Sequence, residues 1–279
     1  MVKRIVVAID GSNYAKTALN LACTRAKKTG ALICGVGVVD IPGITRQEAG
    51  APAGASYYAH RAEETKIKDA CTKMAGFIAD FKAFCEKSGV NYEIRSHEGV
   101  PFEEIIKEAN FADLIYVGVK TFFHFETNSK PGETVMRLLK YASCPVVAVP
   151  EQAEFPKNVI VALDGSRAAA RGLREFVDLY EDRDIFTDIN FFLVSAGTRE
   201  EMLPLHEGAH HYLQAHGLTA TSIIREGKPH EVILEEAKRR IPSAVVLGAY
   251  GQKGISRLFY GSTARKIVED GSVTVLVTH

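Results

Sequence analysis

The sequence carries no net charge, with 34 Lys and Arg set against 34 Asp and Glu in 279 residues. It therefore has no global positive field to gather nucleic acid or an anionic membrane. No apolar run approaches the ~20 residues that cross a bilayer. The opening residues, 1–9, are cut short by Asp10, which argues against a signal peptide. Cysteine is sparse. Cys23, Cys34, Cys71, Cys85 and Cys144 are odd in number and form no Cys-x-x-Cys. That pattern argues against a disulfide framework and a zinc site, and the five read as small buried hydrophobes in a reducing compartment. The expectation is a cytoplasmic protein with neither nucleic acid nor membrane as partner.

Several loops that would announce an enzyme are also missing. The turn after the first apolar run is Asp10-Gly11-Ser12, where a Rossmann dinucleotide fold places G-x-G-x-x-G. Gly35 and Gly37 fall within the second strand and open no helix. There is no G-x-S-x-G elbow, no Ser-Gly-Gly or His-x-Gly-His loop of adenylating enzymes, and no P-loop spacing around Ser129 and Lys130.

What is present is a repeat. Hydrophobic residues make up 46% and charged residues 24%, as in an ordinary globular protein, and the length suggests two domains. Residues 4–9 are an apolar run ending in Asp10-Gly11-Ser12, and residues 158–163 are a near copy ending in Asp164-Gly165-Ser166. Runs apolar throughout suit strands buried on both faces of a parallel sheet. Each is followed by a helical pattern that Ser12 or Ser166 caps; Gly30 closes the first. Second strands follow at 31–39 and 189–195. Glu98-Gly-Val-Pro101 and Glu226-Gly-Lys-Pro229 then open helices with proline in the first turn. Strands at 114–117 and 244–247 end in Gly118 and Gly248, and both halves close on a strand, 145–149 and 273–277. Strands alternating with helices imply an α/β fold of two tandem, doubly wound parallel domains, 1–150 and 157–279, joined by a polar linker at 150–156.

The halves differ. The first contains an insertion over roughly 41–60, where Gly43, Gly50, Pro52 and Gly54 mark a loop. A long amphipathic helix follows, with Ile67, Ala70, Cys71, Met74, Ile78, Phe81 and Cys85 on one face. That stripe reads as core packing, or as a groove for a partner or lipid. The second half carries His206, His210, His211 and His216 in a shorter helix. His206 and His210, four apart, share a face and are candidate metal ligands, with Glu207 beside them; solvated surface histidines are the alternative.

The most informative string is Gly248-x2-Gly251-x9-Gly261-Ser262, set between a strand and a helix. Such a loop brings backbone N–H groups and a helix dipole onto one anion, and Ser262 can cap the helix and offer its hydroxyl to a phosphate. Lys253, Arg257 and Arg265 stand near it. In open α/β sheets the loops after the first and fourth strands meet at the carboxyl edge, which places Asp164 beside the glycine string. A carboxylate there suits hydrogen bonds from an exocyclic amine or a ribose hydroxyl, or simply the local turn with Gly165 and Ser166. Val194, at the end of the second strand, offers an apolar surface for a base, or is plain sheet core.

With these motifs the chain resembles a tandem universal stress protein. The repeated Asp-Gly-Ser and Gly-x-Pro cover both halves, and the glycine string is complete only in the second. The resemblance implies strand order 3-2-1-4-5 in each five-stranded parallel sheet, helices on both faces, and pairing of two domains through their last strands. In a tandem chain that pairing becomes an internal pseudo-dimer, and a homodimer of chains is a further option. It also implies an adenine-nucleotide site made of Ala162, Asp164, Val194, Leu247, Gly248, Gly251, Gly261, Ser262 and Thr263, with Asp164 on the nucleoside and Val194 against adenine. The expected ligand is ATP, with AMP or ADP as alternatives and Mg²⁺ needed for any hydrolysis. With no general base in sight, the expected role is an ATP-binding stress-response regulator, at most a weak ATPase. The alternatives are a nucleotide-independent scaffold and a metal sensor using His206 and His210. In the first half, Thr121 replaces the second glycine and Pro131-Gly132 replaces Gly-Ser, with bulky residues at 122–125 between them. Phosphate binding is expected to be weak or absent there, although Asp10 leaves room for a nucleoside.

Overall fold

The turn after each first strand sets the pattern of its half. The Ser12 Oγ accepts the Ala15 N–H (3.1 Å), and the Ser166 Oγ accepts the Ala169 N–H (3.1 Å), so each serine starts the next helix. Gly30, left-handed at φ 69°, ends the first of these helices by donating its N–H to the Ala26 carbonyl. The two Glu-Gly-x-Pro turns work alike. Gly99 (φ 151°) and Gly227 (φ 143°) adopt backbone angles that side chains disfavour, and Pro101 and Pro229 then open helices where no N–H is needed.

The computed structural model describes residues 2–48, 56–120, 133–180, 188–249 and 262–278. The first half runs β1 (Arg4–Ile9), α1 (Asn13–Thr29), β2 (Leu32–Val39), α2 (Ile41–Glu48), α3 (Ser56–Ser88), β3 (Tyr92–Glu98), α4 (Pro101–Ala109), β4 (Leu114–Gly118), α5 (Glu133–Tyr141) and β5 (Val146–Val149). The second runs β6 (Asn158–Ala162), α6 (Arg167–Leu179), β7 (Asn190–Ala196), α7 (Arg199–Ala215), β8 (Ala220–Arg225), α8 (Pro229–Lys238), β9 (Ser243–Gly248), α9 (Ser262–Asp270) and β10 (Thr274–Thr278).

The strands form one sheet in the order β3-β2-β1-β4-β5-β10-β9-β6-β7-β8. Each half is parallel and ordered 3-2-1-4-5, as the resemblance implies. Between the halves β5 and β10 pair antiparallel, with Val147 opposite Leu276. Alternate residues feed two cores. Ile5, Val7 and Ile9 join α1, α3, α6 and α7 on one face, while Val6 and Ala8 join α4, α5, α8 and α9 on the other. This two-sided burial is why the strands read as unbroken apolar runs. The linker is tied to α1, where the Thr17 Oγ1 donates to the Glu151 carbonyl (2.6 Å).

The expected loop at 41–60 needs correction. Residues 41–48 are helical, and α3 has already begun at Ser56. The Asp40 Oδ1 accepts the Gly43 N–H (2.8 Å) and the Asp40 carbonyl accepts the Ile44 N–H (3.1 Å). Asp40 thus caps α2, and Pro42 sits in a first turn that tolerates it. Gly50, Pro52 and Gly54 lie outside the described residues. On α3, Ala70, Met74, Phe81 and Cys85 are buried as the stripe predicts, but Cys71 is exposed.

Candidate functional site

The carboxyl ends of β7, β6 and β9 lie side by side. Ala162 pairs with Val194, Val161 with Val246, and the Leu163 N–H donates to the Val194 carbonyl (2.9 Å). The chain leaves β6 into the Asp164 turn at the point where strand order reverses, the position at which open α/β sheets take ligands. The sheet thus brings Ala162, Asp164, Val194, Leu247 and Gly248 to one edge.

Asp164 is solvent-exposed, and its Oδ1 accepts the Ser166 N–H (2.9 Å). The carboxylate therefore holds its own turn while facing outward. Ala162 is half-buried. Val194 and Leu247 are enclosed within the core on the α8 and α9 side. Ser262 is the first, exposed residue of α9 and Thr263 is half-buried. The helix N-terminus leaves backbone N–H groups without intrahelical acceptors. Gly251 and Gly261, with Lys253 and Arg257, lie outside the described residues. The Arg265 Nε donates to Glu269 Oε1 within α9 (2.7 Å), so its charge is partly engaged.

Gly248 has a structural reason to be glycine. A Cβ there would lie 2.3 Å from the backbone carbon and oxygen of Ala168 in the first turn of α6. Gly172 faces the same crossing, where a Cβ would lie 2.9 Å from Thr278 Oγ1 and 3.3 Å from the Gly248 nitrogen. Helix α6 can settle onto β9 only because both positions are bare.

The equivalent turn of the first half is built differently. Asp10 is 4% exposed, and its Oδ1 accepts both the Ser12 N–H (2.9 Å) and the Ser12 hydroxyl (2.7 Å). The Phe77 ring of α3 lies over Gly11, so closely that a Cβ would meet it at 2.3 Å. The expected opening for a nucleoside at Asp10 is thus covered. Thr121, residues 122–125 and Pro131-Gly132 lie outside the described residues.

The histidines of α7 also part company. His206 is fully buried, its Nε2 2.8 Å from Ser195 Oγ and its Nδ1 2.9 Å from Ser222 Oγ; the His210 Nε2 reaches the same Ser222 Oγ at 2.8 Å. The two candidate ligands converge on a serine hydroxyl, and no group of three or more His, Cys, Asp or Glu is placed to hold a metal among the described residues. Phe77, Ser195 and Ser222 escaped the sequence reading. Ser195 alone left a trace, as a polar residue ending an apolar strand. A cavity of about 370 Å³, lined by Tyr180, Phe191, Leu218 and Thr221 among others, opens at the amino ends of β7 and β8, away from Asp164.

Among solved structures, the chain is similar over 99% of its length to a universal stress protein from Archaeoglobus fulgidus DSM 4304, with 17% identity, 97% of that chain covered and a TM-score of 0.69. It is likewise similar to a putative universal stress protein from Pseudomonas aeruginosa UCBPP-PA14, with 16% identity, 99% and 93% coverage and a TM-score of 0.64. A functionally unknown protein from Pseudomonas aeruginosa PAO1 gives 16% identity, 99% and 92% coverage and a TM-score of 0.63. At such identities these likenesses speak for the fold. A search of curated proteins finds no match. The profile of the universal stress protein family matches twice, over residues 1–150 and 156–279. One domain type thus accounts for both halves, and the chain belongs to the universal stress protein family.

Proposed function

We propose that the chain is an adenine-nucleotide-binding regulator whose second half takes the nucleotide, ATP foremost. The observation that carries this reading is the contrast between two equivalent turns. Asp164 stands exposed at the carboxyl edge, whereas Asp10 is buried and Phe77 lies over the neighbouring Gly11. The complete string Gly248, Gly251, Gly261, Ser262 belongs to the same half. In this reading Asp164 accepts hydrogen bonds from the nucleoside. Ala162 forms the apolar surface that a base reaches first, with Val194 and Leu247 supporting it from the core. The N-terminus of α9, with Ser262 and Thr263, faces phosphate oxygens through its N–H groups and dipole. Asp164, the one carboxylate of the set, sits at the nucleoside end, too far from a terminal phosphate to activate water. Hydrolysis is accordingly slow and needs Mg²⁺.

The test is the nucleotide content of freshly purified protein, followed by calorimetric titration with ATP and Mg²⁺. One nucleotide per chain is expected. Asp164→Ala should weaken binding by roughly tenfold or more, in line with a lost charge-assisted hydrogen bond, and Gly251→Val should abolish it without unfolding the protein. Two nucleotides per chain would overturn the assignment to the second half. Unchanged affinity in Gly251→Val would sink the loop assignment, and no binding at all would leave a scaffold.

A further inference from the structure

Leu163 is the last residue before Asp164, and both of its backbone groups are held. Its N–H donates to the Val194 carbonyl (2.9 Å), and its carbonyl accepts the Ser195 hydroxyl (2.6 Å). The peptide between Leu163 and Asp164 is thereby fixed, and the Asp164 carboxylate, whose Oδ1 takes the Ser166 N–H (2.9 Å), leaves it in a set direction. The second of these backbone bonds comes from a side chain, so it depends on what holds Ser195. The one hydroxyl proton goes to Leu163, so toward His206 Nε2 (2.8 Å) the Ser195 oxygen accepts. His206 Nδ1 lies 2.9 Å from the Ser222 hydroxyl, which His210 Nε2 reaches at 2.8 Å. Leu163, Ser195 and His206 are all buried, so no bulk water stands in for a missing member.

The fold does not require this arrangement. In the first half Gly37 pairs with Ile9, the residue before Asp10, and offers no hydroxyl. Met74 of α3 takes up the space, so closely that a Cβ on Gly37 would meet its Sδ at 2.7 Å. Helix α3, like α7, follows the second strand of its half. Strand and helix thus meet through a glycine and a thioether in the half whose turn buries its aspartate. They meet through a serine and a histidine in the half whose aspartate faces outward. Burying an imidazole and a hydroxyl carries a desolvation cost that an apolar contact avoids. Packing alone therefore gives no reason for Ser195 and His206.

We propose, on the reading that the second half holds the nucleotide, that Ser195 and His206 are positioning residues of its site: they fix the Leu163–Asp164 peptide so that the carboxylate meets the nucleoside already ordered. Both are buried and act through the turn rather than on the ligand. Ser222, by donating to Nδ1, keeps the His206 proton on Nε2. His206, by donating to Ser195, leaves the serine proton for the Leu163 carbonyl. Ser222 lies on β8, the edge strand, so the chain of hydrogen bonds runs from the rim of the sheet to the turn of the site. Without the serine hydroxyl a buried carbonyl loses its partner and the peptide gains freedom, which nucleotide binding must then remove.

The experiment uses the full chain, freed of nucleotide and titrated calorimetrically with ATP and Mg²⁺. Ser195→Ala should weaken binding about three- to tenfold, and Ser195→Thr, which keeps the hydroxyl, should recover most of the loss. His206→Leu should weaken binding by a similar factor, whereas His206→Gln, whose amide N–H can still donate to Ser195, should recover most of it. Urea midpoints are measured alongside. Affinity that follows the midpoints rather than the donor, with Gln no better than Leu, overturns the proposal and leaves these residues a feature of the core. Two readings need no nucleotide. Amide exchange at Gly165 and Ser166 should quicken in Ser195→Ala and His206→Leu but not in His206→Gln. In the parent, nitrogen NMR should find the His206 proton on Nε2. A proton on Nδ1 would leave Ser195 without its donor and overturn the proposal whatever the variants do. A parent that binds no ATP, yet shows these exchange rates and this tautomer, would overturn the nucleotide reading while the positioning of the Asp164 turn stands.

Discussion

The hydroxyls around His206 have their protons in only one consistent order while both imidazoles are neutral. The Ser195 Oγ donates to the Leu163 carbonyl at 2.6 Å, so it accepts from His206 and the proton sits on Nε2. The His206 Nδ1 is then an acceptor, which Ser222 satisfies while itself accepting from His210 Nε2. The chain ends one residue before Asp164, tying α7 to the turn of the candidate site. A protonated His206 would break this order, and burial, with the nearby His210 contributing, lowers its pKa from 6.5 to about 4. The unfolded chain takes up this proton below about pH 6.5, whereas the folded chain resists it until about pH 4. The contribution is therefore intact above pH 6.5 and is lost as pH falls through that window, by roughly 3 kcal/mol in all. Urea unfolding from pH 7 to 4 should show the loss in the parent and a flatter curve in His206→Gln; parallel curves would mean that His206 does not titrate this way. Gly248 makes a second case. Gly248→Ala should destabilise by roughly 1–3 kcal/mol, because the new methyl meets the α6 backbone rather than a flexible side chain. Unfolding without nucleotide measures this directly, separating the packing role of Gly248 from any role in phosphate binding.

At the scale of elements, α3 distinguishes the halves. It is 33 residues long, against 17 for α7 at the corresponding place after the second strand. Its Phe77 rests on Gly11, whose φ of 77° already excludes most side chains. Phe77→Ala should cost roughly 2 kcal/mol, less than the ~3–5 of a fully buried phenylalanine because Phe77 is only partly enclosed. It should also quicken amide exchange at Gly11 and Ser12, and unchanged exchange would mean that the ring does not protect the turn. The sequence displayed the strands, caps and repeat because each rests on local chemistry: apolar runs for two-sided burial, serines at helix starts, Gly-x-Pro at turns. It concealed α2, since Gly43 reads as a loop signal until Asp40 is seen capping the helix. Phe77 was hidden for a different reason. It lies next to the Ile78 stripe, and nothing local says that its ring crosses to a turn some 66 residues earlier (77 minus 11). Of the candidate site, Asp164 was legible as a turn position at the carboxyl edge, but the complete burial of Val194 depends on helices packed from elsewhere in the chain.

At the scale of the molecule, two repeats become one sheet because β5 and β10 hide each other's edges. Every residue of both strands is buried. The join does not rest on the sheet alone. Arg25 of α1 donates to the Leu179 carbonyl after α6 has crossed the sheet (2.6 Å), and its guanidinium lies 5.7 Å from the Tyr180 ring centre. Val119, just past β4, lies within 3.4 Å of where a side chain at Gly271 would begin. Separating the halves would leave β10, with the sequence Thr-Val-Leu-Val-Thr, as a bare edge of unpaired N–H and carbonyl groups flanked by apolar side chains. Such an edge recruits another strand. Residues 157–279 expressed alone should therefore self-associate through β10, re-forming the antiparallel pairing between two copies, or precipitate. The intact chain, with this edge filled internally, should unfold in a single transition. Light scattering after size-exclusion chromatography, run over a range of concentrations, reads the first outcome, and calorimetry of the intact chain reads the second. A second half that stays monomeric at high concentration, together with two separate transitions in the intact chain, would mean that the halves are independent domains that merely touch. Self-association with one transition would mean that the junction of β5 and β10 is part of the fold itself.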